Sequence, residues 1–381
     1  MNVLLRTLQL DNMFSLEKKT ELKDSGLEIH PFRFESAPDA AEIKNIREKF
    51  SLWEFSEVKD EYANENTVFN YTVFAPSGKE KNSQAILLMH GLNERSWKKY
   101  LAWAEYLAQT TRKPVILFPL AFHINRTPRL WMNPRWIRPW VDQRNREFPG
   151  LENSTFINVA LSSRLSQEPL RFYTSGLETI SNLIQLTKEI KSGKHPLFKE
   201  DASIHLFAYS IGALISEILL LANPKKLFTN SRLFMFCGGS IFYDMNANAR
   251  DILDSAANER IHQYYSNDFL KNPAIPDWNI DNLKQAFKAM IHPKVFQEYR
   301  EKFFRQAGDR IRAISLKADT VIPTRGIMAA LGKISSKIME EWDFPFPYSH
   351  QWPFPLNSKA SEQLISESFE RVFCRAAHFL G

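Results

Sequence analysis

The stretch Ser203-Ile-His-Leu-Phe-Ala-Tyr-Ser-Ile-Gly-Ala-Leu-Ile-Ser-Glu-Ile-Leu-Leu-Leu-Ala222 decides the fold of this chain. It begins with a short apolar run over 204–208, which has the length of a buried strand. After Ser210 it continues as an apolar run with the period of a helix, and that run stops before Asn223-Pro224. The pattern therefore predicts a strand that turns sharply into a helix, with Ser210 at the turn.

A serine at such a turn is typical of a nucleophile elbow, in which the hydroxyl is exposed at the end of a sheet. The turn also places Ser210 at a helix N-terminus, where unpaired backbone N–H groups favour developing negative charge. The usual pattern is Gly-x-Ser-x-Gly. Here Ala208 takes its first position and Gly212 its last. The alternative interpretation is a serine that only caps a buried helix.

Other apolar runs on both sides of this stretch have the length of strands and alternate with helical patterns. Because such alternation is typical of parallel strands joined by crossover helices, it predicts an α/β fold with a mostly parallel central sheet flanked by helices. The predicted strands are at 67–74, 85–89, 114–118, 233–236, 311–316 and 337–342.

Three segments do not follow this alternation of strands and helices. Residues 1–65 are polar and helix-compatible, which predicts an N-terminal helical extension. The main domain then covers 66–381 and is interrupted by two insertions, at about 122–167 and 241–308. We expect the two insertions to form a helical lid.

Composition narrows the class of function. The 381 residues carry a formal net charge of +6, too modest for a dedicated nucleic-acid binder, and no recognition motif accompanies the charge. No apolar run reaches the length of a membrane span, and the apolar run at the N-terminus is too short for a signal peptide. We therefore expect a cytoplasmic protein without stable membrane insertion. No metal-ligand spacing or phosphate-binding glycine loop is present, so no metal and no cofactor are expected.

An acid and a base follow the last two predicted strands. Asp319 follows the strand at 311–316, and His350 lies in the loop after the strand at 337–342. Because catalytic groups of open α/β sheets collect at the carboxyl ends of the strands, both are candidates to act with Ser210. Asp319 has the alternative role of a helix cap, His350 that of a packed loop histidine, and Asp343 is a rival acid.

The segment His90-Gly91-Leu92 follows the predicted strand at 85–89. A glycine there lets the backbone turn so that the N–H of Leu92 points into the cleft. Together with the N–H of Ile211, it would stabilise the negative oxygen of a tetrahedral intermediate. The alternative is an ordinary turn with a buried histidine.

The first insertion contains an unusual concentration of arginine, interleaved with tryptophan. Arginine suits planar anions, so these side chains are candidates for binding an acidic group of the substrate. The alternative is a lid whose arginines are solvated or pair with Asp142, Glu147 and Glu152. The arginines are Arg126, Arg129, Arg135, Arg138, Arg144 and Arg146.

Taken together, His90-Gly91, the segment 208–212, the segment 318–323 and His350 resemble the α/β-hydrolase superfamily, in a branch without a named lipase or peptidase. The resemblance covers about residues 66–381. It implies Ser210 as nucleophile, Asp319 as acid, His350 as base, and Leu92 and Ile211 as oxyanion-hole donors. The departures are Ala208, the loop Asn93-Glu94-Arg95 and the arginine-rich insertion.

The expected function is that of a serine hydrolase that cleaves an ester or related acyl bond of a small-molecule substrate through an acyl-enzyme. Amide cleavage or acyl transfer on the same scaffold, and an inactive member that only binds a ligand, are the alternatives.

Overall fold

A nine-stranded sheet lies at the centre of the molecule. The computed structural model of the chain describes residues 2–37, 64–78, 80–272, 282–356 and 359–381. The strands are β1 Thr20–Leu22, β2 Leu27–Glu35, β3 Val68–Pro76, β4 Asn82–Met89, β5 Val115–Leu117, β6 Phe198–Ser210, β7 Leu233–Gly238, β8 Ile311–Leu316 and β9 Met339–Trp342.

The strands are arranged in the order β1-β2-β3-β5-β4-β6-β7-β8-β9. The pairs of β2 with β1 and β3, and of β3 with β5, are antiparallel. The remaining pairs, from β5 through β4 and β6 to β9, are parallel. The mostly parallel sheet predicted from the sequence is therefore confirmed. All carboxyl ends of the parallel strands open at one edge, where Ser210 terminates β6.

Helices cover both faces of this sheet. They are α1 Val3–Met13, α2 Asn64–Thr67, α3 Lys98–Thr111, α4 Pro134–Glu147, α5 Val159–Gln167, α6 Leu170–Lys191, α7 Ile211–Ala222, α8 Ser255–Gln263, α9 Leu283–Ala289, α10 Gln297–Gln306, α11 Thr324–Leu331, α12 Ser335–Ile338 and α13 Glu362–Leu380. Short 3-10 helices lie at Ile124–Arg126, Arg129–Met132, Pro224–Lys226, Phe242–Asp244, Gly308–Arg310 and Gly332–Ile334, and a π-helical turn at Tyr264–Phe269.

The apolar side chains of the parallel strands point alternately into two cores. One core packs the sheet against α6 and α7, and the other packs it against α1, α3 and α13. Because both faces are covered, these strands read as continuous apolar runs, which made them recognisable in the sequence. Within the described residues, no helix is both long and apolar enough to cross a membrane.

The N-terminal segment differs from the helical extension predicted for residues 1–65. In its described part, α1 is followed by β1 and β2, and β2 pairs with β3 along nine residues. Pro31 interrupts the apolar alternation of β2, and a proline within a run weakens the sequence signal of a strand. Residues 38–63 of that segment lie outside the described residues.

Helix α1 is fixed to the main domain by an ion pair as well as by apolar contacts. Arg6 donates two hydrogen bonds to the buried carboxylate of Glu105 on α3, at 2.7 and 2.5 Å. Val3, Leu4 and Leu10 are buried in the same core as α3. Helix α1 is therefore part of the folded core.

Candidate active site

Ser210 stands at a sharp turn between β6 and α7. Its backbone has φ 57° and ψ −126°, a conformation rare for a residue with a side chain. The helix begins at the next residue, Ile211, so the hydroxyl of Ser210 lies beside the first turn of α7. Such strain usually accompanies a functional constraint, and the geometry is that of the elbow predicted from the sequence.

Gly212 allows α7 to start this close to the sheet. A Cβ atom at Gly212 would lie 2.6 Å from the carbonyl oxygen of Met89 and 2.7 Å from that of His90. Since both atoms belong to the backbone at the end of β4, no rotation of a side chain would relieve the clash. The glycine at the last position of the motif is therefore a steric requirement.

The structure brings Ser210, His350 and Asp319 into one chain of hydrogen bonds. His350 Nδ1 lies 2.7 Å from Asp319 Oδ2, and His350 Nε2 lies 2.7 Å from Ser210 Oγ. A carboxylate oxygen only accepts, so Nδ1 carries the proton and donates it to Asp319. The lone pair of Nε2 then faces the hydroxyl of Ser210. All three residues are at most 5% exposed.

Asp319 does not take its alternative role as a helix cap, because α11 begins at Thr324 and Pro323 is its N-cap residue. Its second oxygen, Oδ1, accepts hydrogen bonds from the N–H groups of Val321 and Ile322, both at 2.9 Å. The carboxylate is therefore held on both oxygens, and its orientation toward His350 is fixed. The rival acid Asp343 is exposed, accepts a hydrogen bond from Tyr348 at 2.9 Å and lies 3.7 Å from Lys317. Asp319, not Asp343, faces His350.

Tyr209, the residue before Ser210, holds His350 from a second direction. Its hydroxyl donates to the backbone carbonyl of His350, and the two rings stack at 14° with centroids 5.4 Å apart. Burial raises the pKa of Tyr209 well above its usual value, so the phenol keeps the proton that it donates. The sequence offered a weak signal for this residue, because Tyr209 lies inside the elbow motif.

His90 orients the segment that contains Leu92. Its Nε2 accepts from the N–H of Leu120 at 2.9 Å, so the proton is on Nδ1, which donates to the carbonyl of Gly91 at 2.8 Å. Burial, with a smaller effect of His123, lowers the pKa of His90 well below its usual value and keeps the ring neutral. In a planar trans peptide, the N–H of Leu92 points away from the Gly91 carbonyl and therefore away from His90.

The sequence predicted the backbone N–H groups of Leu92 and Ile211 as the two oxyanion donors. No hydrogen bond among the described residues uses the N–H of Leu92. Ile211 is the first residue of α7, and its N–H has no acceptor inside that helix. Leu92 lines the same cavity as Ser210. This arrangement is compatible with the two-donor site that the sequence predicted.

A second network, which the sequence did not predict, fixes the loop after β4. Tyr100 accepts from the N–H of Gly91 at 3.0 Å and donates to Glu94 at 2.7 Å. The ammonium of Lys99 contacts Glu94 at 2.5 Å and donates to the carbonyl of Gln351 at 2.9 Å. Lys99 therefore joins the loop of Leu92 to the loop of His350.

The loop Asn93-Glu94-Arg95, which departs from the α/β-hydrolase pattern in the sequence, also has a structural explanation. The Asn93 amide donates to the carbonyls of Ile157 at 3.2 Å and Asp251 at 2.9 Å. Arg95 donates to the carbonyls of Trp131, Phe156 and Ile157 at 2.5, 3.2 and 3.2 Å. This loop therefore anchors both insertions next to the candidate site.

A cavity of about 180 Å³ opens above Ser210. Its walls come from three regions: the loop after β4, the loop around His350 and the two insertions. The lining residues are Gly91, Leu92, Asn93, Glu94, Arg95, Ser96, Lys99, Ile157, Tyr209, Ser210, Asp251, Ile252, His350, Gln351 and Trp352.

The arginines of the first insertion do not line this cavity, which corrects their interpretation as ligands for an acidic substrate. Arg126 is fully buried and donates to Asn66, Glu178 and Asn182 among others. Arg144 forms a buried ion pair with Asp254 of the second insertion. The remaining four arginines are exposed, as the lid-surface alternative requires. The buried pairs were not recognisable because their partners are distant in sequence.

Among the described residues, no group of three or more His, Cys, Asp or Glu side chains has the arrangement of a metal site. The groups around Ser210 come from the side chains of His350 and Asp319 and from the backbone. Their chemistry is that of a hydroxyl, an imidazole, a carboxylate and backbone donors.

The mostly parallel sheet, the elbow after β6 and the chain order Ser210, Asp319, His350 define an α/β-hydrolase fold. The chain belongs to DUF6051, described as a family of unknown function, whose model matches residues 1–381. None of the curated proteins matches the sequence.

Solved structures similar to this chain include esterases and a peptidase. An esterase from the hyperthermophilic archaeon Pyrobaculum calidifontis has 9% identity and a TM-score of 0.42, covering 98% of this chain and 90% of its own. A thermostable esterase from Pseudomonas putida has 9% identity and a TM-score of 0.44, covering 100% and 97%. An acylaminoacyl peptidase from Pyrococcus horikoshii has 12% identity and a TM-score of 0.46, covering 93% of this chain and 41% of its own.

Proposed function

We propose that this protein is a serine hydrolase that cleaves carboxylic esters of small molecules through an acyl-enzyme. The observation that carries the proposal is the continuous hydrogen-bond chain from Asp319 through His350 to Ser210. It ends at a strained elbow whose hydroxyl lines a cavity. Such a chain activates a hydroxyl that is otherwise a weak nucleophile.

In the first half-reaction, Ser210 Oγ forms a bond to the carbonyl carbon of the ester while His350 Nε2 takes the proton of the hydroxyl. Asp319 stabilises the resulting imidazolium through Nδ1. The bond between the carbonyl carbon and the alkoxy oxygen then breaks, and His350 gives its proton to the departing alcohol. The product of this half-reaction is an ester of Ser210 with the acyl group.

In the second half-reaction, water replaces the alcohol. The oxygen of water attacks the acyl carbon while His350 takes one proton from that water. His350 then gives the proton to Ser210 Oγ when the bond between Oγ and the acyl carbon breaks. The carboxylic acid leaves, and the free serine is restored. Neither half-reaction needs an oxidant, a reductant or a metal ion.

The N–H groups of Leu92 and Ile211 are the proposed donors to the oxyanion of each tetrahedral intermediate. The hydrogen bond from His90 to Gly91 supports this role, because it turns the N–H of Leu92 away from the buried imidazole. Donors that are fixed before the reaction need no reorganisation when the charge develops.

We also propose that the two insertions act together as a lid, as the sequence predicted. Arg144 of the first insertion binds Asp254 of the second, and Ser162 accepts the N–H of Asp254 at 3.1 Å. Ile157 and Ile252, one from each insertion, line the cavity above Ser210. A lid made of two connected insertions would exclude bulk water from the reacting carbonyl.

Hydrolysis of p-nitrophenyl butyrate tests the proposed function. Wild-type protein should release p-nitrophenol with saturation kinetics, and Ser210→Ala should lower kcat by about 10⁶-fold. Ser216→Ala is the matched control, because it removes another buried hydroxyl of α7, which donates to the Gly212 carbonyl. Equal activity of Ser210→Ala and Ser216→Ala would contradict the proposal.

A further inference from the structure

A second cavity adjoins the two proposed oxyanion donors from the other side. It has a volume of about 50 Å³, and both Leu92 and Ile211 line it, whereas Ser210 and His350 do not. Leu92 lines both this cavity and the one above Ser210, so the two are adjacent at that residue. Its wall consists mainly of aliphatic and aromatic side chains, among them Leu161, Leu165, Phe172 and Ile215.

The position of His350 determines which half of an ester enters which cavity. His350 protonates the departing alcohol, so the alcohol must lie on the side of its Nε2. His350 lines the larger cavity, together with the paired Glu94 and Lys99 and with Gln351, so polar groups lie beside His350 in a wall that is otherwise mostly apolar. With the carbonyl oxygen between Leu92 and Ile211, the acyl chain is left with the smaller apolar cavity.

The size of the smaller cavity limits the acyl chain. A water-sized group needs about 10–15 Å³ of such space, so the cavity holds about three to five of them. Its wall includes Gly176 of α6. A Cβ atom at Gly176 would lie 3.3 Å from Ile215 Cδ1 and 3.6 Å from Phe287 Cε2, so the wall is already close-packed there.

Two polar side chains of the wall, Thr179 and Arg164, have contacts within the protein, whereas Nε2 of His123 is buried without a hydrogen-bond partner among the described residues. Thr179 Oγ1 accepts from the N–H of Ala121 at 3.0 Å and donates to the carbonyl of Ser175 at 2.9 Å. The guanidinium of Arg164 lies over the ring of Phe122 at 4.8 Å. Burial lowers the pKa of His123 to about 4, so this side chain adds no charge at neutral pH.

We propose that the substrates are esters of short, uncharged acyl groups, of about three to five carbons, with a polar alcohol. The inference rests on the proposed hydrolase function and names its substrate class. The smaller cavity, lined by Leu92 and Ile211, binds the acyl chain, and the larger cavity at His350 binds the alcohol. Arg164 and Arg171 also line this smaller cavity, and their positive charge could bind an acyl group that ends in a second carboxylate. The test must therefore distinguish an uncharged acyl group from a dicarboxylic one.

The test compares kcat/KM for p-nitrophenyl acetate, butyrate, hexanoate, octanoate and hemisuccinate. Wild-type protein should prefer butyrate and lose at least about tenfold by octanoate, since one methylene in an apolar pocket changes kcat/KM by about 10–200-fold. Gly176→Ala narrows the cavity and should move the preference to acetate. Leu161→Ala, at a half-buried position, widens it and should move the preference to hexanoate.

Leu364→Ala is the control variant, because it shortens an exposed leucine of α13 that lines neither cavity. Its chain-length profile should match that of the wild type. Activity that rises through octanoate, a preference for hemisuccinate over butyrate, or unchanged profiles in both cavity variants would overturn the inference. Labelling of Ser210 by a fluorophosphonate distinguishes failure of this inference from failure of the proposed function. If Ser210 is labelled but the chain-length profiles contradict the inference, the hydrolase function stands and only the acyl preference is wrong. If Ser210 is not labelled, both proposals are wrong.

Discussion

At the scale of single residues, the position of Asp319 depends on three donors. His350 donates to one carboxylate oxygen, and the N–H groups of Val321 and Ile322 donate to the other. An amide in place of the carboxylate would present N–H groups to some of these donors. The imidazole would then lose the acceptor that keeps its proton on Nδ1.

We therefore predict that Asp319→Asn lowers kcat for p-nitrophenyl butyrate by about 10³–10⁴-fold, because His350 would be held in the wrong tautomer. Asp343→Asn is the matched control, since Asp343 follows β9 but is exposed and bonded to Tyr348. Steady-state kinetics of both variants provide the measurement. A greater loss in Asp343→Asn than in Asp319→Asn would show that the wrong acid has been assigned.

The candidate catalytic residues at the strand ends could be predicted from the sequence. The side chains that hold them in position, such as Lys99, could not. Ser210 and Asp319 follow apolar runs, and His350 lies in the loop after the last predicted strand, so chain order places all three at one edge of the sheet. Lys99 contacts Gln351 across 252 positions of sequence, and nothing in its local pattern indicates that contact. Such side chains become recognisable only when the loops are brought together.

At the scale of elements, Lys99 connects two loops that carry different parts of the candidate site. The loop after β4 carries Leu92, and the loop after β9 carries His350. The ammonium of Lys99 also lies 4.7 Å from the centre of the Tyr209 ring, which stacks on His350. We infer that Lys99 is a positioning residue.

Replacing Lys99 with Met should reduce kcat for p-nitrophenyl butyrate by about 10–100-fold with a smaller effect on KM, since small misplacements of reacting groups have effects of this size. Lys99→Arg keeps the charge and should recover part of the loss. Lys98→Met is the control, because within the described part of the chain the ion pair of Lys98 is a surface pair with Asp11 at 2.8 Å.

Comparing the change in kcat with the change in KM tests whether Lys99 positions the candidate site. A Lys99→Met variant with wild-type kcat would contradict it. A loss that Lys98→Met shares, or that Lys99→Arg does not reduce, would indicate a general effect on folding instead of positioning.

At the scale of the whole molecule, the sheet extends further toward the N-terminus than the sequence indicated. The parallel strands were recognisable because burial on both faces makes them continuously apolar. Strand β2 instead mixes buried and exposed positions and contains Pro31, and its stability comes from pairing with β3. Pairing between segments that are distant in sequence leaves little local signal, so the N-terminal strands could not be predicted.

Buried neutral histidines make the stability of the whole fold dependent on pH. Burial lowers the pKa of His195 from 6.5 to about 4, with smaller contributions from Lys81 and His30. The unfolded chain binds a proton below its ordinary pKa, whereas the folded chain does not until pH falls to about 4. Stability from this residue is therefore complete above pH 6.5 and is lost as pH falls from there toward 4.

We predict that His195→Gln makes the free energy of unfolding less dependent on pH. Between about pH 7.5 and about pH 5.5, the wild type should lose about 1 kcal/mol more than the variant. Urea denaturation at the two pH values measures this difference, and His378→Gln, at an exposed position, is the control. Parallel losses in the wild type and His195→Gln would contradict the prediction.

The central claim is that Ser210 is an activated nucleophile, and covalent labelling tests it most directly. Wild-type protein would be incubated with a fluorophosphonate, and the modified peptide would be located by mass spectrometry. We predict a single adduct per chain on Ser210, absent from Ser210→Ala and formed much more slowly in His350→Ala. A folded wild-type protein without an adduct, or an adduct that persists in Ser210→Ala, would contradict the claim.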